Sequence, residues 1–139
     1  MKTLIVEDDP TSQLLLQELL KIYGACHTAV NGKEAVEAVR RAQEENEPYE
    51  VICLDVMMPE MDGQEVLKEI RRMEAEKGIA RADRTKIIMT TALTDRTNVL
   101  KAIQQQCDCY LTKPISREKL LHELRHLKVN RPLGIWDPS

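Results

Sequence analysis

Three short segments, TLIV at 3–6, VICL at 51–54 and KIIM at 86–89, are almost unbroken in apolar residues. A strand with one face in water alternates apolar and polar side chains, so runs this short and this continuous predict strands buried on both sides. Between and after them lie longer stretches whose apolar residues recur every three or four positions, the period of a half-buried helix. Strands that alternate strictly with helices predict a parallel sheet covered by helices on both faces.

The punctuation along the chain agrees. After TLIV, Asp9-Pro10 reads as an N-cap followed by proline at the first helical position. Leu15, Leu16, Leu19, Leu20 and Tyr23 share a face of that helix, and Gly24 closes it. Residues 25–30 form a weaker strand. Asn31-Gly32 opens a second helix that turns Ala35, Val36, Val39 and Ala42 to one side. The third strand, 51–55, leads to a helix capped by Asp62 and carrying Val66, Leu67, Ile70 and Met73. A polar stretch, EAEKGIARADRT, precedes a fourth strand from Lys86 to Thr90 or Thr91. Thr94-Asp95 starts a fourth helix with Val99, Ala102 and Ile103. Tyr110 and Leu111 mark a fifth strand, and Ser116 caps a last helix with Leu120, Leu121, Leu124 and Leu127.

Five strand–helix units without an internal repeat suit a chain of 139 residues folded as one domain. Hydrophobic residues at 42% and charged residues at 31% describe an ordinary soluble globular chain. The net charge of -3 gives no general attraction to nucleic acid phosphates. No apolar run approaches the ~20 residues that span a bilayer, and MKTLIVEDD turns acidic too soon for a secretory leader. A cytoplasmic protein with no membrane and no direct nucleic acid partner is expected. Cys26, Cys53, Cys107 and Cys109 lack finger-like spacing and read as reduced thiols. His122 and His126, four apart near a helix end, read as solvated.

The polar residues at the strand ends carry the chemistry. Glu7 and Asp8 follow the first strand, Asp55 ends the third, Thr91 the fourth and Lys113 the fifth. In open sheets of this kind ligands sit outside the carboxyl ends of the strands, so all five are expected at one rim. Three neighbouring carboxylates repel one another unless some are protonated or a cation sits among them. Oxygen ligands of this kind suit Mg²⁺. A phosphoryl group could then be clamped between the cation and Lys113, with the Thr91 hydroxyl donating to another oxygen. Asp55, held on a central strand, is the natural nucleophile.

With LIVEDDP, LDVMMPEMDG, MTTA and YLTKPI in this order, each at a strand end, the chain resembles the CheY-like receiver domain of bacterial two-component response regulators from Lys2 to about Lys128. The resemblance implies a flavodoxin-like doubly wound sheet of five parallel strands in the order 2-1-3-4-5. It implies that Asp55 is the phospho-acceptor, and that Asp8, Asp55 and the backbone carbonyl of Met57 bind Mg²⁺, with Mn²⁺ as a substitute. Glu7 acts through water, and Asp9 is left as the helix cap. Thr91 is the switch hydroxyl, with Thr90 as runner-up, and Tyr110 the coupled aromatic. Lys113 pairs with the phosphoryl group, and Lys113–Pro114 is expected to be cis. The implied partners are a sensor histidine kinase or phosphotransfer protein, and a downstream protein target docking on the face of the fourth helix, fifth strand and fifth helix. A phosphorylation-driven homodimer is a further expectation.

Residues 1–128 are thus read as the receiver, and 129–139, with Trp136, as a flexible tail. The chain is either a stand-alone regulator or a receiver excised from a longer one. Met57 and Leu93 stand beside the path of a hydrolytic water and cannot orient it, which predicts slow autodephosphorylation. Beyond self-phosphorylation from phosphodonors and that slow loss, no enzyme activity is expected. A Mg²⁺-dependent phosphohydrolase would want a second acid after Asp55, where methionines stand. A flavin carrier would want a hydroxyl- and glycine-rich loop where EDDP stands.

Overall fold

The structure, a computed structural model, describes residues 1–58, 61–92 and 107–127. Its five strands are β1 (Thr3–Val6), β2 (Cys26–Ala29), β3 (Val51–Asp55), β4 (Lys86–Ala92) and β5 (Cys109–Lys113). The helices are α1 (Pro10–Leu20), α2 (Gly32–Glu44), α3 (Gly63–Glu76) and α4 (Arg117–His126). All strand pairs are parallel, and the sheet runs β2-β1-β3-β4-β5, the order expected for a doubly wound sheet. The chain reverses direction of winding between β1 and β3, which puts a crevice at the carboxyl ends of these strands.

Side chains alternate across each strand, so the sheet feeds two cores. On one face Leu4, Ile52, Leu54, Ile87 and Met89 pack with Ala35, Val39 and Ala42 of α2 and with Val66, Leu67 and Ile70 of α3. On the other, Ile5, Val51, Cys53, Ile88 and Leu111 meet Leu16 and Leu20 of α1 and Leu120 and Leu124 of α4. β1 and β3 are buried on both faces, as their unbroken apolar runs require, while the edge strands β2 and β5 keep exposed residues.

The caps fall where the sequence places them. Asp9 accepts from Ser12 N (3.1 Å), Asn31 from Glu34 N (2.8 Å), Asp62 from Glu65 N (2.9 Å) and Ser116 from Lys119 N (3.0 Å). Each satisfies an N–H that has no partner inside its helix. Several expectations need correction. Leu15 is exposed and outside the buried face of α1, which Leu16 and Leu20 form with Leu19 partly buried and Tyr23 beyond the helix. β2 is shorter than 25–30, and β4 runs on to Ala92. Within the polar stretch 74–85, Glu74 and Thr85 are buried, drawn in by an ion-pair network that local patterning does not reveal. The fourth predicted helix, Leu93, Pro59 and the tail from 129 onward lie outside the described residues.

That network sits at the amino-terminal edge of β4. Arg71 of α3 donates to Glu74 (2.8 Å), to the Thr85 carbonyl (2.9 Å) and to Asp108 (2.9 Å). Glu74 accepts from Thr85 N (2.8 Å), and Asp108 accepts from Ile87 N (2.7 Å). Asp108 N in turn donates to the Ile87 carbonyl (2.9 Å). Arg71 and Glu74 are buried and Asp108 partly so, and each takes part in more than one charge-assisted bond.

Candidate functional site

Glu7, Asp55 and Lys113 continue the alternation of Ile5, Cys53 and Leu111, so all three belong to the α1/α4 side of the sheet. Lys113 reaches back across β4 to both acids. Its Nζ lies 2.9 Å from Glu7 Oε2 and 3.3 Å from Asp55 Oδ2. Glu7 and Asp55 are 1% and 4% exposed, while Asp8 is exposed at the rim. Carboxylate oxygens of the three acids lie within 4.8 Å of one another. The Lys113–Pro114 peptide is cis, as expected.

The backbone fixes the two buried acids. Met57 N donates to Asp55 Oδ1 (3.1 Å) and Asp9 N to Glu7 Oε1 (3.1 Å). Immediately after Asp55 the chain doubles back: Val56 N donates to the Thr90 carbonyl and Gly63 N to the Val56 carbonyl, each at 3.0 Å. A Cβ on Gly63 would stand 2.4 Å from the Asp55 carbonyl oxygen, so only glycine lets α3 begin this close to the acid's own backbone.

Burial, and then the charge of Glu7, pushes the Asp55 carboxyl up to about 7, against the pull of Lys113 and the Met57 N–H. Lys113 itself is moved upward: burial alone would lower it, but its bond to Glu7 and the charge of Asp55 prevail. Two buried carboxylates sharing one ammonium are a site short of positive charge. Three oxygen donors this close, with neither sulfur nor imidazole among them, fit a hard divalent cation such as Mg²⁺.

The other expected residues are placed less centrally. Thr91 is buried at the end of β4, opposite Thr112. It is Thr90, not Thr91, that pairs in register with Asp55. Tyr110 is 41% exposed on β5 and by alternation faces away from the acids. Met57 is exposed at 61%. His122 and His126 are exposed, all four cysteines are free thiols, and neither set joins a metal-ligating group among the described residues. Sequence reasoning gave Thr90 only as runner-up to Thr91; the register places it level with Asp55.

Comparison with known proteins bears on the same residues. A model of the response regulator receiver domain matches residues 3–125. A probable histidine kinase 2 of Oryza sativa subsp. indica is 37% identical over 131 residues, covering 87% of this chain and 12% of the kinase. The chain therefore spans about an eighth of that relative's length. Among solved structures, the receiver domain of Ssk1 from Saccharomyces cerevisiae, in complex with the histidine phosphotransfer protein Ypd1, has a TM-score of 0.77 at 28% identity, with 91% of this chain and 88% of that one covered. The receiver domain of the sensor histidine kinase PA1611 from Pseudomonas aeruginosa, with magnesium coordinated in its active site cleft, has a TM-score of 0.73 at 27% identity, covering 92% and 98%. The match runs unbroken from the first strand nearly to the end of α4, and on it this chain belongs to the response regulator receiver domain family.

Proposed function

We propose that the chain is a phosphorylation-operated signalling switch in which Asp55 accepts the phosphoryl group. The observation that carries this is the Asp55 carboxylate itself: nearly buried, fixed through Oδ1 by the Met57 N–H, and shared through Oδ2 with Lys113. An acid held that rigidly at a strand end is positioned for in-line attack, and positioning supplies most of the catalysis in phosphoryl transfer.

In the transfer, an Asp55 oxygen forms the new bond to phosphorus. The bond from phosphorus to the donor breaks, and its electron pair leaves with the donor, an imidazole nitrogen when the donor is a phosphohistidine. Asp8, Asp55 and the Met57 carbonyl are assigned to hold Mg²⁺, or Mn²⁺ in its place, with Glu7 acting through water. When bound, the cation neutralises charge on the acids and the transferred phosphoryl oxygens. Lys113 moves its ammonium from the acids to the incoming group, and Thr91 supplies a hydroxyl. A histidine kinase or phosphotransfer protein is the donor, a reading supported by the Ypd1 complex of the similar Ssk1 receiver.

Thr91 and Tyr110 are assigned to relay the change to a downstream partner, or to a second copy of the chain, through the face of β5, α4 and the predicted helix before them. We take 1–128 as the receiver unit, working in the cytoplasm, with 129–139 as a tail. Among the described residues no helix is long and apolar enough to cross a membrane. Intact mass after exposure to acetyl phosphate and Mg²⁺ tests the assignment. One added phosphate is expected on the parent and none on Asp55→Ala; equal uptake by both sinks it.

A further inference from the structure

Thr90 is 1% exposed, and its Oγ1 has no hydrogen-bond partner among the described residues. A buried hydroxyl left unpaired is destabilising, and valine would fill the same space without that cost. Such an orphan calls for a partner in another state of the molecule.

The register shows where that partner comes from. Thr90 pairs with Asp55 on one side and with Leu111 on the other. By alternation after Ile88 it shares the face of Asp55, Leu111 and Lys113. Lys113, two residues past Leu111 on β5, must pass over β4 to meet Asp55 and Glu7. Thr90 thus lies on the strand under that crossing. An ammonium has three donors, and the two acids account for two of them.

We propose that Thr90 is a positioning residue for Lys113: during the transfer and in the phosphorylated state its hydroxyl accepts a hydrogen bond from the ammonium, which has left Glu7 for the phosphoryl group. The orphan hydroxyl of the unmodified protein and the orientation of Lys113 after transfer are then two sides of one device. This rests on Asp55 being the acceptor.

Thr90→Val removes the hydroxyl at almost constant volume, and Thr90→Ser keeps it. With acetyl phosphate at saturating Mg²⁺, Thr90→Val is expected to be phosphorylated about tenfold more slowly, the loss of one hydrogen bond to a charged group. Half-saturation by Mg²⁺ stays unchanged, and Thr90→Ser recovers most of the rate. Without phosphodonor, Thr90→Val melts at the parent's temperature or above it, since the hydroxyl has no bond to lose. The ¹⁵N signal of the Lys113 ammonium, recorded with Mg²⁺ and a fluoroberyllate analogue, differs between parent and Thr90→Val. A Thr90→Val protein that is phosphorylated at the parent's rate, or that melts lower, overturns the inference while leaving the acceptor in place. A parent that takes up no phosphate overturns the acceptor reading and this inference with it.

Discussion

If Asp55 is the acceptor, it is the residue on which proton, cation and phosphorus compete. Its carboxyl moves from the ordinary 3.8 to about 7, through burial first and Glu7 second. A carboxyl raised in the folded state favours folding below its unfolded value, and that contribution is lost as pH climbs through about 7. Urea titrations of the cation-free protein should therefore show this contribution shrinking between pH 4 and 7, and Asp55→Asn should flatten the trend. Because a cation needs the ionised acid, affinity for Mg²⁺ should rise over the same interval, read by tryptophan-independent calorimetry. An affinity that falls with pH contradicts the assignment. Met57 belongs to the same scale. Exposed beside the acid, it offers a side chain that cannot orient water. Met57→Asn should shorten the life of the aspartyl phosphate several-fold, as on the order of one added hydrogen bond to water allows. Phosphate release after removal of donor measures it, and an unchanged rate refutes it.

Among the elements, β4 and its supports separate costly contacts from nearly neutral ones. Arg72 bonds Glu69 and Glu76 on the outer face of α3, but all three are substantially in water. Arg72→Ala should alter stability by less than ~1 kcal/mol. Asp108 is different, because its loss leaves both the Arg71 guanidinium and the Ile87 N–H without that acceptor in a buried setting. Asp108→Ala should cost about 3 kcal/mol in urea unfolding, and a loss below ~1 kcal/mol would show the network to be dispensable. The same contrast explains what the sequence could and could not disclose. TLIV, VICL, the four caps and the acids at strand ends are local signals, read from neighbours in the chain, and each lies where patterning puts it. Arg71 and Asp108 are 37 residues apart. Nothing within a helical or strand period links them, so Glu74 and Thr85 read as part of a polar stretch until the chain is folded. Leu15 misled for a related reason: an apolar residue beside Leu16 extends a helical stripe on paper, while the sheet has room for a narrower one.

Taken whole, the molecule has two edges with opposite tasks. The carboxyl edge gathers mutually repelling acids around one lysine, and the amino edge gathers paired charges around Arg71. If Asp55 is the acceptor, added charge acts on the first edge and spares the second. Amide exchange should then slow at residues 55–57 on treatment with Mg²⁺ and fluoroberyllate, with Thr85 and Ile87 unaltered; equal change at both edges would refute the division. Asp108 also ties β4 and β5 together at their amino ends. By bonding Ile87 through both its backbone N–H and its carboxylate, it rivets the start of β5 to the start of β4. Two strips riveted at one end cannot slide past each other. The ladder continues from that rivet through Thr91↔Thr112 to Ala92↔Lys113, so the anchored ends hold the register in which Thr90, Thr91 and Lys113 stand.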